Sequence, residues 1–76
     1  EFFQEIYNAE SASFIRAYGT DCVRDEMEFF AEGFWYYIVN PSTLKSVSPQ
    51  LYYFLHSMYL YFRIQRTWYE YNSIFA

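Results

Sequence analysis

The chain reads as a small all-α protein, a bundle of three main helices whose C-terminal member is long and aromatic. Three observations carry that expectation. Apolar residues recur at spacings of three, four and seven over most of the chain, the pattern of one helix face. The pattern breaks at Gly19, Asn40-Pro41 and Ser48-Pro49, residue types that stop or start helices. A length of 76 residues suits a single domain, 1–76.

The first helix is expected over 2–18. Phe3, Ile6, Tyr7, Phe14, Ala17 and Tyr18 form its apolar stripe, while Gln4, Glu5, Asn8 and Ser11 fall elsewhere. Gly19 closes it, because glycine enters the left-handed conformation of a helix C-terminus without a Cβ penalty.

The second is expected over 21–39. Thr20 or Asp21 is a suitable N-cap, and Asp25, Glu26 and Glu28 suit the positive end of the helix dipole. Val23, Met27, Phe30, Phe34, Tyr37 and Ile38 make the expected core stripe, with Arg24, Asp25, Glu28 and Glu32 opposite. From Phe34 to Val39 the chain is apolar on every side. Asn40 ends the helix, since the residue before proline is pushed out of the α region.

Residues 40–48 read as a polar connector with room for one short helical turn. Ser48 then caps and Pro49 opens a third helix over 49–74, where the missing N–H of proline costs nothing. Its main stripe is Leu51, Phe54, Leu55, Met58, Tyr61, Phe62, Trp68 and Tyr69. A second stripe, Tyr53, Leu60, Ile64, Tyr71 and Phe75, runs beside it. Only a narrow strip of His56, Arg63, Arg66, Thr67, Glu70 and Ser73 is polar, so this helix calls for neighbours around most of its circumference.

Composition points beyond the bundle. Ten Tyr, nine Phe and two Trp make the chain 28% aromatic. A domain near this size buries only about 60% of the surface its unfolded chain exposes. Some rings must therefore face another molecule. We expect a non-enzymatic interaction or assembly subunit, taking a protein partner or forming a homo-oligomer. Its expected docking rings are Trp35, Tyr36, Tyr52, Tyr53, Tyr59, Tyr61, Trp68 and Tyr71, because tyrosine and tryptophan join a rigid apolar body to a polar tip. Two further readings stand beside this one. One is an accessory subunit at the periphery of a membrane complex, where such rings favour the interface. The other is a helical bundle holding a small molecule in an aromatic pocket.

Charge narrows the partner. Residues 1–40 hold Glu1, Glu5, Glu10, Asp21, Asp25, Glu26, Glu28 and Glu32 against Arg16 and Arg24, a balance of −6. Residues 41–76 hold Glu70 against Lys45, Arg63 and Arg66, a balance of +2. The resulting net charge of −4 argues against nucleic acid, whose phosphates call for a basic surface. The longest apolar runs, six residues at 34–39 and five at 51–55, fall far short of the roughly 20 that span a bilayer. The opening residues carry no cleavable signal pattern, and a start at Glu1 leads us to expect a processed or partial piece of a longer protein. One cysteine, Cys22, allows no internal disulfide, which fits an intracellular, reducing compartment or organelle.

Chemistry-bearing residues are sparse. His56 is the sole histidine and has no second ligand at metal spacing, so neither metal nor cofactor is expected. Cys22 would start the second helix, where the dipole favours a thiolate, but Asp25 and Glu26 oppose it and no positioned base is evident. Asp25, Glu28 and Glu32 share a helix face and read as a solvated acidic surface.

One local pattern points elsewhere. Tyr36-Tyr37-Ile38-Val39-Asn40-Pro41, with Leu44 and then Trp68-Tyr69-Glu70-Tyr71-Asn72, resembles fragments of a bromodomain over less than a quarter of the chain. That resemblance implies acetyl-lysine held by Asn72. The chain departs from the family in lacking the Trp-Pro-Phe shelf, in its short intervening segment, and in leaving little length for a final helix.

Overall fold

The computed structural model describes residues 2–19 and 25–75. The expectations placed on Thr20, Asp21, Cys22, Val23 and Arg24, and on the side chain of Phe75, lie outside the described residues. The chain is all-α, with four helices among the described residues: α1 (Phe2–Tyr18), α2 (Glu26–Val39), α3 (Pro41–Val47) and α4 (Pro49–Phe75). The three main helices expected are present, and the short connector helix α3 brings the count to four. The connector at 40–48 is itself helical, because two capping residues and two prolines punctuate it at both ends.

Asn40 ends α2 by donating its N–H to Tyr36 O and starts α3 by accepting from Thr43 N through its side chain, with Pro41 in the first turn. Ser48 ends α3 with an N–H bond to Leu44 O at 2.7 Å, and α4 begins at the next residue. Gly19 stands at φ +63° and bonds Ile15 O, the left-handed helix end its residue type suggests. The start of α2 is later than expected. Its cap is Asp25, whose Oδ1 accepts from Glu28 N at 2.9 Å.

The core is small. Ile6 and Phe14 of α1, Phe29 of α2, Leu44 of α3, and Leu51 and Leu55 of α4 are buried. Phe29 is its centre, with the rings of Phe3, Tyr7 and Phe14 at 5.9, 5.5 and 5.4 Å. The Tyr7 and Phe14 contacts are edge-on, which opposes a positive ring edge to a negative face.

The face that α2 turns inward differs from the one its apolar stripe suggested. Phe29 and Gly33 are buried and Phe30, Tyr36 and Tyr37 half-buried, whereas Met27 is 82% exposed and Phe34 and Ile38 are open to solvent. Gly33 supplies the reason. A Cβ there would lie 2.5 Å from Leu51 Cδ2 and 3.2 Å from its Cγ, so α2 and α4 approach each other across a missing side chain. Leu51 is fully buried, so its side chain can turn from an added methyl only by displacing other core atoms. We expect Gly33→Ala to cost about 1–3 kcal/mol by overpacking, read as a lower urea midpoint at unchanged slope. An unchanged midpoint would contradict the close approach.

The molecule measures 50 × 26 × 18 Å with a radius of gyration of 15.0 Å. A compact domain of this length would have a radius near 11 Å. The excess comes from α4, whose 27 residues extend about 40 Å, well beyond the other helices.

Candidate functional site

The two halves of α4 live in different surroundings. Leu51 and Leu55 are buried, and Tyr52, Phe54, His56 and Met58 half-buried, where α1, α2 and α3 cover them. From Tyr59 to Tyr71 every residue is exposed. Eight of those thirteen are apolar or aromatic: Tyr59, Leu60, Tyr61, Phe62, Ile64, Trp68, Tyr69 and Tyr71. Four side-chain bonds of this half run along the helix itself. Gln65 Nε2 donates to Tyr61 Oη at 3.0 Å, Arg66 Nε to Glu70 Oε1 at 3.1 Å, Thr67 Oγ1 to Arg63 O at 3.0 Å and Asn72 Nδ2 to Trp68 O at 2.8 Å.

Both stripes foreseen on this helix are present, but only the first half of the main one reaches the core. Tyr53, Leu60, Ile64 and Tyr71 of the second stripe lie on the outward side of α4 and are exposed along its length. Around Thr67 that side is concave, lined by Leu60, Arg63, Ile64, Thr67, Trp68 and Tyr71. Where α4 leaves the bundle, Phe34, Tyr37 and Ile38 of α2 join Leu55, Met58, Tyr59 and Phe62 in an apolar groove of about 290 Å³. That is at the lower limit of the roughly 300–1,000 Å³ typical of small-molecule sites.

The rings expected to dock are not all placed alike. Trp35, Tyr53, Tyr59, Tyr61, Trp68 and Tyr71 stand open to solvent. Tyr36 is half-buried, stacked on Tyr18 at 3.7 Å and edge-on to Phe14. Tyr52 is half-buried, stacked on His56 at 5.6 Å, with Lys45 Nζ 5.7 Å above its ring and 5.5 Å from that of Tyr53. Tyr36 and Tyr52 therefore hold the bundle together. Phe34, Ile38, Leu60, Phe62, Ile64 and Tyr69 are exposed beside the docking rings and were not singled out, since the periodicity assigned most of them to a core face.

His56 and Asp25 are both engaged in local structure. His56 Nδ1 lies 2.8 Å from Tyr37 Oη, a hydrogen bond that ties α4 to α2. The Asp25 carboxylate caps α2, and among the described residues no three His, Cys, Asp or Glu gather to hold a metal. Asn72 bonds its own helix, and Asn40-Pro41 is accounted for as the α2–α3 junction.

Glu10, read from sequence only as one acid among eight, does the most consequential work of any polar group. It is 6% exposed, and its Oε2 and Oε1 accept from Gln50 N at 2.9 Å and Leu51 N at 3.0 Å. A carboxylate from α1 thus caps α4, where free N–H groups and the dipole favour negative charge. Ser48, the expected cap, is fully buried, and among the described residues its hydroxyl has no hydrogen-bond partner. The remote carboxylate displaces it because it satisfies two donors at once and brings a full charge.

Two tyrosines report on the packing. Burial, with Tyr36 adding, pushes the Tyr18 phenol above its ordinary 10.0; burial, with Tyr52 and Tyr59 adding, does the same for Tyr37. The unfolded phenols release their protons first as pH rises through 10.0, so beyond that point the unfolded chain binds fewer protons and stability falls. We expect the melting temperature to fall on raising the pH from 9 through about 10 to 11, and the fall to lessen in Tyr37→Phe. An equal fall in that variant would remove Tyr37 from the effect.

No protein-family model, no curated protein and no solved structure matches the chain, so its function has to be argued from the surface just described.

Proposed function

We propose that the chain is a non-enzymatic interaction or assembly subunit that docks on a protein through the aromatic far half of α4. The observation that carries the reading is the unbroken exposure from Tyr59 to Tyr71. Eight apolar side chains, each roughly half exposed or more, offer on the order of 900 Å². The largest apolar patch on a typical monomer is about 300–600 Å². A helix projecting from its bundle gains most of its stability from burying such a face, because isolated segments of about 15 residues are marginal in water. Exposed Tyr and Trp are also the residue types that anchor protein interfaces.

A binding rather than a catalytic role is favoured because His56 and the carboxylates of Asp25 and Glu10 are committed to packing and capping. Attachment beside a membrane complex is the second reading, favoured by the exposed Trp68, Tyr69 and Tyr71. No helix among the described residues is long and apolar enough to cross a membrane. A net charge of −4 disfavours an anionic bilayer as the direct partner.

Radical footprinting compares the protein in extract of its source with the dilute pure chain. Trp68, Tyr69 and Tyr71 are expected to lose most of their reactivity in the extract and regain it on purification. Equal reactivity in both would overturn the docking reading. Protection that follows the membrane fraction in flotation would favour the second.

A further inference from the structure

The outward face of α4 has a period that constrains its partner. Tyr53, Ser57, Leu60, Ile64, Thr67 and Tyr71 follow one another at intervals of four, three, four, three and four, the seam of a two-stranded coiled coil. All six are exposed, on the side of α4 away from the buried Leu51 and Leu55. A second helix can therefore lie along the seam without meeting the bundle.

Arg63 and Glu70 occupy one edge of this seam, and Tyr61 and Trp68 the other. In an antiparallel pair like edges meet, whereas in a parallel pair each edge meets the opposite one. Parallel pairing of two copies would set Arg63 against rings. Antiparallel pairing sets it against the opposite charge. We infer that two copies of this chain pair antiparallel along this face of α4, with Ile64 of one copy over Thr67 of the other. The inference rests on the docking reading and names its occupant.

The register follows from complementarity. Placing Ile64 on the partner's Thr67 places Thr67 on the partner's Ile64, as a two-fold axis requires. Leu60 then meets the partner's Tyr71, and Arg63 lies beside the partner's Glu70, each contact occurring twice. Tyr61 packs against the partner's Trp68 on the far edge. Thr67 suits the centre because its hydroxyl is bonded to Arg63 O, leaving its methyl outward in the concave stretch that Ile64 would fill. Glu70 already accepts from Arg66 of its own helix and, as a carboxylate, has sites for a second donor.

The area is adequate. Leu60, Tyr61, Ile64, Trp68 and Tyr71 expose about 550 Å² per copy, or about 1,100 Å² for the pair, just above the roughly 1,000 Å² of a specific interface.

Sedimentation equilibrium of the full chain over a concentration series tests the pairing. Wild type is expected to form a dimer. Arg63→Glu and Glu70→Arg are each expected to weaken it about tenfold or more, and the double variant to return to within about threefold of wild type. Ile64→Asp is expected to weaken it by about 100-fold, with circular dichroism confirming that the bundle is retained. A dimer indifferent to all of these substitutions would overturn the proposed face. Single variants that weaken without rescue in the double would overturn the antiparallel register. A chain that remains single at every concentration overturns the pairing; if footprinting in extract still protects α4, docking on a different protein stands, and if it does not, both readings fall.

Discussion

Replacing Phe29 with alanine is expected to remove about 3–5 kcal/mol of stability, the largest effect of any single substitution in this chain. The ring is fully buried, and it is where α1 and α2 meet: Phe3, Tyr7 and Phe14 all pack on it. Its loss removes the transfer energy of a phenyl group and leaves a hole that no neighbour can fill by rotating a single bond. A chain of this length has a total stability of roughly 4–11 kcal/mol, so the variant should be largely unfolded or melt far below wild type. Thermal unfolding by circular dichroism checks this. A Phe29→Ala protein melting within about 5 °C of wild type would mean that the bundle is held elsewhere.

Glu10→Ala is the second large effect, and it acts through hydrogen bonds rather than volume. Two N–H donors at the start of α4 lose their acceptors, and the helix dipole loses the charge that faces it. Charge-assisted bonds contribute about 1.5–3 kcal/mol each, and donors left unpaired are costly where water is excluded. We expect a loss of about 3 kcal/mol, corresponding to a fall in melting temperature of roughly 10–20 °C. Glu10→Gln retains one carbonyl acceptor but turns an amide toward the second donor, so it should fall between the two. The pattern matters more than either value. Equal losses in the alanine and glutamine variants would assign the effect to charge alone. A glutamine variant equal to wild type would remove charge from the account.

The Glu10 site bears on function because it ties the first turn of α4 to the bundle from which the far half projects. Glu10 holds the first turn and Leu51 and Leu55 hold the next. Losing Glu10 or the Phe29-centred core should therefore weaken the proposed docking without touching residues 59–71. Substitutions at Ile64 or Arg63 should weaken docking and leave bundle melting unchanged.

Much of this was legible from residue order. Helix, the stop at Gly19, the break at Asn40-Pro41 and the entry at Pro49 follow from backbone chemistry that acts within a few residues. The surplus of rings follows from counting surface against length, and the exposed α4 is where that surplus lies. Tertiary structure decided the rest. The inward face of α2 was chosen by Gly33, a residue that hydrophobic periodicity cannot register because it works by being absent. The cap of α4 was chosen by Glu10, forty residues away along the chain from Gln50, and no local pattern announces such a partner. Local rules describe what a segment can do alone. Which of its faces is buried, and which acceptor reaches its end, depends on how closely other segments approach, and that is settled only when they pack.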